Sequence, residues 1–117
     1  MFIEVLKSKI GHAKVTDAQL HYEGSITIDA DLMKAVGFIP GEKVHVLNKN
    51  NGIRLETYVI AGRPRSGEIC LNGPAARQGY VGDVLVILSY AFVDLDEAKQ
   101  VQPKIIYLDE QNHIKKK

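Results

Sequence analysis

Two stretches of this sequence repeat one another at an offset of 41 residues. Ala35 to Val46 and Ala76 to Ile87 each run from a helix end, through an apolar residue, to a Gly-acid pair, Gly41-Glu42 or Gly82-Asp83, and then into a β-rich strand. Gly-Asp turns are frequent enough that coincidence is a competing account, but a duplicated strand-helix-turn-strand unit is the more economical one. Such a duplication, with many short strands and a few helices of one or two turns, points to a mainly β fold closed into a small barrel. Its 117 residues make one domain, large enough for a core without staples.

Along the chain, Phe2 to Lys7 reads as a first strand that continues loosely through Lys9-Ile10. Ala13 to Asp17 either extends it or begins another, and Asp17 to Leu20 reads as a turn or a single helical turn. Ile26 and Ile28 alternate with Thr27 at the period of a half-buried strand. Asp29 is placed to cap a helix over Ala30 to Val36 that Gly37 stops, with Leu32, Met33 and Val36 on its buried face. Asn50-Asn51-Gly52 is the clearest hairpin signal, joining strands Lys43 to Leu47 and Arg54 to Ala61. Further strands are expected over Glu68 to Leu71, Val84 to Tyr90 and Lys104 to Leu108, with helical turns over Asn72 to Arg77 and Asp94 to Ala98. Val84 to Tyr90 is apolar on both faces, which suggests that a neighbouring subunit covers one of them.

Composition excludes several classes of function. With 15 basic and 14 acidic residues the net charge is +1, and the only basic run, Lys115 to Lys117, reads as a solvated tail, so no nucleic-acid partner is implied. A single cysteine, Cys70, forms no internal disulfide; it suits a reducing cytosol and reads as a small buried strand residue. The N-terminus has an early acid and no long apolar segment, and Val84 to Val93 is too short to span a bilayer. A cytoplasmic location with no membrane partner is the expectation. The histidines at 12, 21, 45 and 113 have no metal-ligand spacing, and there is neither a phosphate-binding glycine loop nor a Cys-His pair.

The chemistry concentrates in Tyr22-Glu23-Gly24-Ser25. Taken alone, Gly24 is a tight turn before a strand and Ser25 a solvated hydroxyl. The sharper reading makes Gly24-Ser25 a bond at which the chain cuts itself. Gly24 leaves its carbonyl carbon open to attack, Ser25 Oγ adds to it, and the amide becomes an ester. Elimination then leaves dehydroalanine, which hydrolyses to a pyruvoyl group on the new N-terminus. That group, able to form a Schiff base with an amine, is an electron sink made from the chain itself, with no metal and no pyridoxal phosphate.

Lys9, Tyr22 to Ser25, Asn51 to Tyr58 and Asn72-Gly73 occur in an order and spacing that closely resemble the aspartate 1-decarboxylase family, pyruvoyl-dependent enzymes that make β-alanine for pantothenate. The resemblance covers roughly residues 1 to 108. It implies a six-stranded double-ψ β-barrel with short helices, a zymogen that cleaves itself into residues 1–24 and 25–117, and a homotetramer with active sites near subunit interfaces. It implies L-aspartate as substrate, while leaving open whether a maturation factor assists cleavage.

Decarboxylation at a pyruvoyl group needs a cation to hold the carboxylate that stays behind. Arg54 suits this role because guanidinium grips carboxylate in two-pronged fashion; outside this context it is a surface arginine beside a hairpin. Lys9 matches the family's active-site lysine by resemblance. Tyr58 can return a proton after carbon dioxide leaves, against the usual role of tyrosine as a core or interface residue. Thr57 and Asn72 are the candidates to hold the Gly24 carbonyl as it becomes an oxyanion, with helix capping as the competing role of Asn72. By resemblance Thr57, Gly73, Pro74 and Ala75 also line the substrate pocket, and Tyr22 forms its wall. Strand alternation puts Arg54, Glu56 and Tyr58 on one face and Thr57 on the other, so a twist, a bulge or a subunit boundary is expected there.

Three departures stand out. The family's Lys-Leu/Ile-His-Arg becomes Lys9-Ile10-Gly11-His12, which on a regular strand moves the histidine to the opposite face. Asn-Gly-Ala-Ala-Ala becomes Asn72-Gly73-Pro74-Ala75-Ala76, which removes one backbone N–H. Glu-Arg-Gly-Ser becomes Arg63-Pro64-Arg65-Ser66. They bear on rate and affinity more than on reaction type. The competing functions are an uncleaved barrel acting as a binding module, and a pyruvoyl decarboxylase of another acidic amino acid such as glutamate.

Overall fold

The structure, a computed structural model, describes residues 1–116; Lys117, the end of the basic tail, lies outside them. The fold is mainly β. Its strands are β1 (Phe2–Lys14), β2 (Asp17–Gln19), β3 (Ile26–Asp29), β4 (Lys43–Asn48), β5 (Arg54–Gly62), β6 (Ile69–Asn72), β7 (Val84–Asp94) and β8 (Lys104–Tyr107). They form one mixed sheet in the order β2-β6-β3-β5-β4-β7-β1-β8. Two helices, α1 (Ala30–Val36) and α2 (Leu95–Ala98), and a 3₁₀ turn over Gly73–Arg77 complete the fold.

Asp17 to Gln19 is a correction to the expected turn. It is a short strand paired in parallel with β6, Asp17 opposite Cys70. Its partner is distant in sequence, so no local signal marks it. The N-terminal stretch is likewise one long strand, bent by register shifts against β7 between Leu6 and Ser8 and between Ile10 and Ala13. Within the second shift His12 takes φ +60°. Regular alternation therefore fails there, and Gly11 and His12 line the same groove instead of facing opposite ways.

The 41-residue repeat is present in three dimensions. It extends to β3-α1-β4 and β6-3₁₀-β7, whose first strands are offset by 43 residues because the 3₁₀ turn is two residues shorter than α1, and each strand pairs with its own counterpart in antiparallel fashion: Thr27 faces Cys70, and Val46 faces Ile87. An antiparallel ladder has a local two-fold axis, so two copies of one unit can share it. Four counterpart pairs, Ile26 with Ile69, Ile28 with Leu71, Val44 with Leu85 and Val46 with Ile87, are all at most 1% exposed and supply the centre of the core. Each such side chain contributes about 1.5–3 kcal/mol by burial. The Gly-acid turns share one hydrogen-bond pattern. Glu42 accepts from Ile39 N at 3.0 Å, and Asp83 accepts from Tyr80 N at 2.9 Å.

The copies diverge at their helices. Asp29 caps α1 by accepting from Asp31 N at 2.8 Å, and it also accepts from Arg65 N and Gly67 N, tying α1 to the 63–67 loop. Gly37 closes the helix at φ +78°. Asn72 stands at the corresponding place before the 3₁₀ turn but makes no side-chain cap. Its amide is used elsewhere.

Gly11 pairs with Tyr107 across the β1–β8 ladder, and the tyrosine ring lies over it. A Cβ at position 11 would sit 2.5 Å from Tyr107 Cδ1 and 2.7 Å from Cε1. Gly11→His should therefore lower the unfolding free energy by about 1–3 kcal/mol, the usual cost of overpacking. Adding Tyr107→Ala should recover part of that loss in urea titrations. Parental stability of Gly11→His alone would show that the ring swings aside freely.

Candidate active site

β5 is paired on one side at a time. Arg54 to Tyr58 bond to β4, whereas Val59 to Gly62 bond in parallel to β3, beginning with Ile26 opposite Val59. One step before that pairing starts stands Ser25, at the unpaired edge of β5. A cavity of about 400 Å³ opens there, lined by Glu23, Gly24 and Ser25, by Leu55 to Tyr58 of β5, and by Asn72, Pro74, Ala75 and Gln78.

Thr57 and Tyr58 both reach this cavity because it lies at a strand edge, where residues from both faces are accessible. The register of β4 with β5 runs without a shift from Lys43–Tyr58 to Leu47–Arg54, so the edge does what a bulge was expected to do. Thr57 is half-buried and Tyr58 is 45% exposed.

The Gly24-Ser25 bond is held in an unusual conformation. Gly24 has φ +139° and Ser25 φ +106°, a region that L side chains rarely occupy and that stores about 1–3 kcal/mol. Ser25 is nevertheless 1% exposed. It is held by Asn72, whose backbone N–H donates to Ser25 O at 3.0 Å and whose Nδ2 donates to Ser25 Oγ at 2.9 Å. The same Nδ2 donates to Thr27 Oγ1 at 2.8 Å. Asn72 thus aims an N–H at the hydroxyl of the strained Ser25, where charge develops if that hydroxyl loses its proton.

These features coincide with a sequence match. A family model described as aspartate decarboxylase matches residues 1–115. The chain belongs to the aspartate decarboxylase family. It is 54% identical over 114 residues to a protein named aspartate 1-decarboxylase in Listeria monocytogenes serotype 4a, covering 97% of this chain and 90% of that one. Proteins of the same name in Cytophaga hutchinsonii and Phocaeicola vulgatus are 55% identical over 114 residues and 56% identical over 109. The first match covers 97% of this chain and 99% of its relative, the second 93% and 94%. The chain is therefore an enzyme of a lyase family.

The structure brings Gly24, Ser25, Thr57, Tyr58, Asn72, Pro74 and Ala75 to one cavity. Gly73 lies beneath it at φ +65°, with room for no side chain: a Cβ would meet Tyr22 O at 2.5 Å and Gly24 N at 2.6 Å. Tyr22, 56% exposed, presents that carbonyl to Gly73 and does not line the cavity. Lys9 and Arg54 also stand apart. Arg54 donates to Tyr90 Oη at 3.2 Å on the outer face of the sheet. Lys9 is in register with Leu88, His45 and Glu56 across four strands, about 14 Å from Glu56 at ordinary strand spacing. It lines a separate groove of about 740 Å³ with Gly11, His12, Lys49 and Tyr107. That groove is larger, but it holds neither the strained bond nor Asn72.

Glu23, Leu55, Glu56 and Gln78 are cavity residues that sequence reasoning does not assign to the site. Lys43 hydrogen-bonds and charge-pairs with Glu56, holding its carboxyl below the ordinary range, with His45 and Arg54 adding to the effect. Glu56 was legible as the residue between Arg54 and Tyr58 on their face, whereas Gln78 had no signal. Among the described residues, no group of three or more His, Cys, Asp and Glu side chains could hold a metal ion, and no helix is long and apolar enough to cross a membrane.

Gly73→Ala tests how tightly the two segments are locked. The added carbon meets backbone rather than a movable side chain, so stability should fall by about 1–3 kcal/mol. Thermal unfolding at the parental temperature would show that residues 22–24 move without cost.

Proposed function

We propose that the chain cleaves itself between Gly24 and Ser25 and, as the processed protein, decarboxylates L-aspartate to β-alanine and carbon dioxide, in service of pantothenate and coenzyme A synthesis. The observation that carries this reading is Ser25, buried at φ +106° with the Asn72 amide on its Oγ, directly after Gly24 and beside Thr57 and Tyr58. Ser25 Oγ gives up its proton and adds to the Gly24 carbonyl carbon; the C–N bond then breaks as nitrogen takes a proton, leaving an ester. Loss of the Ser25 α-proton expels the Gly24 carboxylate, and water converts the resulting dehydroalanine to a ketone with release of ammonia. Asn72 and Thr57 stabilise the oxygen charge in the first step. The relief of strain at Ser25 favours the same step.

The residues present fit a pyruvoyl group, since its precursor serine stands at the cavity wall among neutral donors. When formed, that group supplies a ketone conjugated to an amide, which draws electrons from the substrate's α-carbon. Tyr58 donates the proton that replaces the lost carboxylate. Ala75, Pro74 and the backbone of Gly73 shape the pocket, and Tyr22 becomes part of its wall in the assembly. Arg54 and Lys9 hold the remaining carboxylate once a second protomer brings the outer sheet face to the cavity. That neither lines the Ser25 cavity of its own chain supports a homotetramer, as do exposed Phe2 and Phe92. The same reading takes the six strands between β2 and β8 as a double-ψ barrel, a reading that the counterpart pairing supports. It places the enzyme in the cytoplasm and allows a maturation factor to speed the cut.

Denaturing mass spectrometry should find two fragments, residues 1–24 and 25–117, the larger without a free α-amino group. Ser25→Ala should stay whole. A full-length mass that persists through long warm incubation would favour the uncleaved binding module instead.

Tyr58→Phe separates cleavage from turnover. The variant keeps the ring and loses only the hydroxyl, so it should still cut itself. β-Alanine production from aspartate should fall by about 10²–10⁴-fold, the usual loss with a general acid. Normal β-alanine production would remove Tyr58 from the chemistry, and a failure to cleave would assign its hydroxyl to processing.

A further inference from the structure

Ser25 and Thr27 of one segment, and Asn72 and Cys70 of the other, form a block of four side chains at alternate positions along the β3–β6 ladder. Thr27 stands opposite Cys70 in the register, and the backbone of Asn72 bonds to that of Ser25 two residues further on. Side chains at such positions share a face and lie about 4.5–5.5 Å apart across the ladder. Within the block the Asn72 amide is held at both ends. Cys70 Sγ is 3.3 Å from Asn72 Oδ1, and Nδ2 reaches both Thr27 Oγ1 and Ser25 Oγ.

We propose that Cys70 and Thr27 are positioning residues for self-cleavage: together they hold the Asn72 amide with its oxygen toward the thiol and its N–H groups toward the two hydroxyls. An amide turned end for end has nearly the same shape, so its neighbours decide which way it points. Turned over, its oxygen would accept from Ser25 and hold the hydroxyl proton in place, rather than donate to the oxygen that must become negative. A thiol is a donor of hydrogen bonds only while protonated. Burial, helped by the Asp17 and Glu68 carboxylates, pushes the Cys70 thiol up to about 11, so it remains a donor at any ordinary pH. Thr27 takes the second amide proton, leaving the other for Ser25. The one cysteine of the chain is thus neither nucleophile nor filler alone. It sets the direction of the group that acts on the nucleophile.

This inference rests on the reading of Gly24-Ser25 as the bond that breaks, and its test separates the two. The full chain and its Cys70→Ala, Cys70→Ser and Thr27→Val variants are freshly purified and incubated below their melting temperatures, and cleavage is followed by denaturing mass spectrometry. Cys70→Ala should slow cleavage about tenfold, roughly what one oriented hydrogen bond contributes to a rate. Cys70→Ser keeps a donor and should cleave within about threefold of the parent, even though the smaller, more polar side chain leaves the melting temperature lowered. Recovery of rate without recovery of stability distinguishes orientation from packing. Thr27→Val, which keeps the shape and removes the hydroxyl, should also slow cleavage about tenfold, and it carries the test if Cys70→Ala does not fold. Cleavage at the parental rate in Cys70→Ala or Thr27→Val, or Cys70→Ser as slow as Cys70→Ala, would overturn the proposal while leaving self-cleavage intact. A parent chain that never cleaves overturns the reading of the bond, and the proposal with it.

Discussion

The antiparallel ladder between β3 and β6 is the contact on which the rest depends. It sets the two copies of the repeat about a common axis, with Thr27 facing Cys70, and it draws Ile26, Ile28, Ile69 and Leu71 into the centre of the core. The β4–β7 ladder repeats the arrangement with Val46 facing Ile87. β3 begins only at Ile26, which stands opposite Val59, so the edge of β5 before that point stays open. The cavity is a consequence of this stagger.

The candidate site is where the repeat's symmetry is broken. Asp29 and Asn72 end corresponding strands, and each leads into a helix or turn. Asp29 spends its carboxylate on backbone N–H groups and steadies a two-turn helix. Asn72 leaves its own turn uncapped and directs its amide to Ser25 and Thr27. A carboxylate at that place could not donate to the Ser25 hydroxyl; an amide can. The strain at Ser25 persists because the neighbouring ladder over-determines it: Asn72 bonds to it twice, and Gly73 packs against the backbone of residues 22–24 with no room for a side chain.

Much of this was legible in the residues. The Gly41-Glu42 and Gly82-Asp83 repeat, the Asp29 cap, the Gly37 stop and the Asn51-Gly52 hairpin are local signals, each carried by a few neighbouring side chains, and each has its counterpart in the fold. The grouping of Ser25, Thr57, Tyr58 and Asn72 rests on the family resemblance, and the four side chains line one cavity. Periodicity misled in two places. Asp17 to Gln19 reads as a turn because its partner β6 is far along the chain, and the alternation that would fix the face of His12 breaks at a bulge that leaves no mark in the hydrophobic pattern.

The sequence by itself determined which chemistry is available: a serine after a glycine, an amide, a threonine, a phenol and two cations, together with the membership of the chain in its family. Only the tertiary structure decided which of them meet. Ser25 and Asn72 lie far apart in sequence and touch because a ladder sets them side by side, and Cys70 reaches the same amide from two positions back on one strand. Lys9 and Arg54, equally prominent in the sequence, do not line the cavity. The reason is general: side-chain type is written residue by residue, whereas contact depends on register and strand order, which are settled by how the whole chain buries its apolar faces.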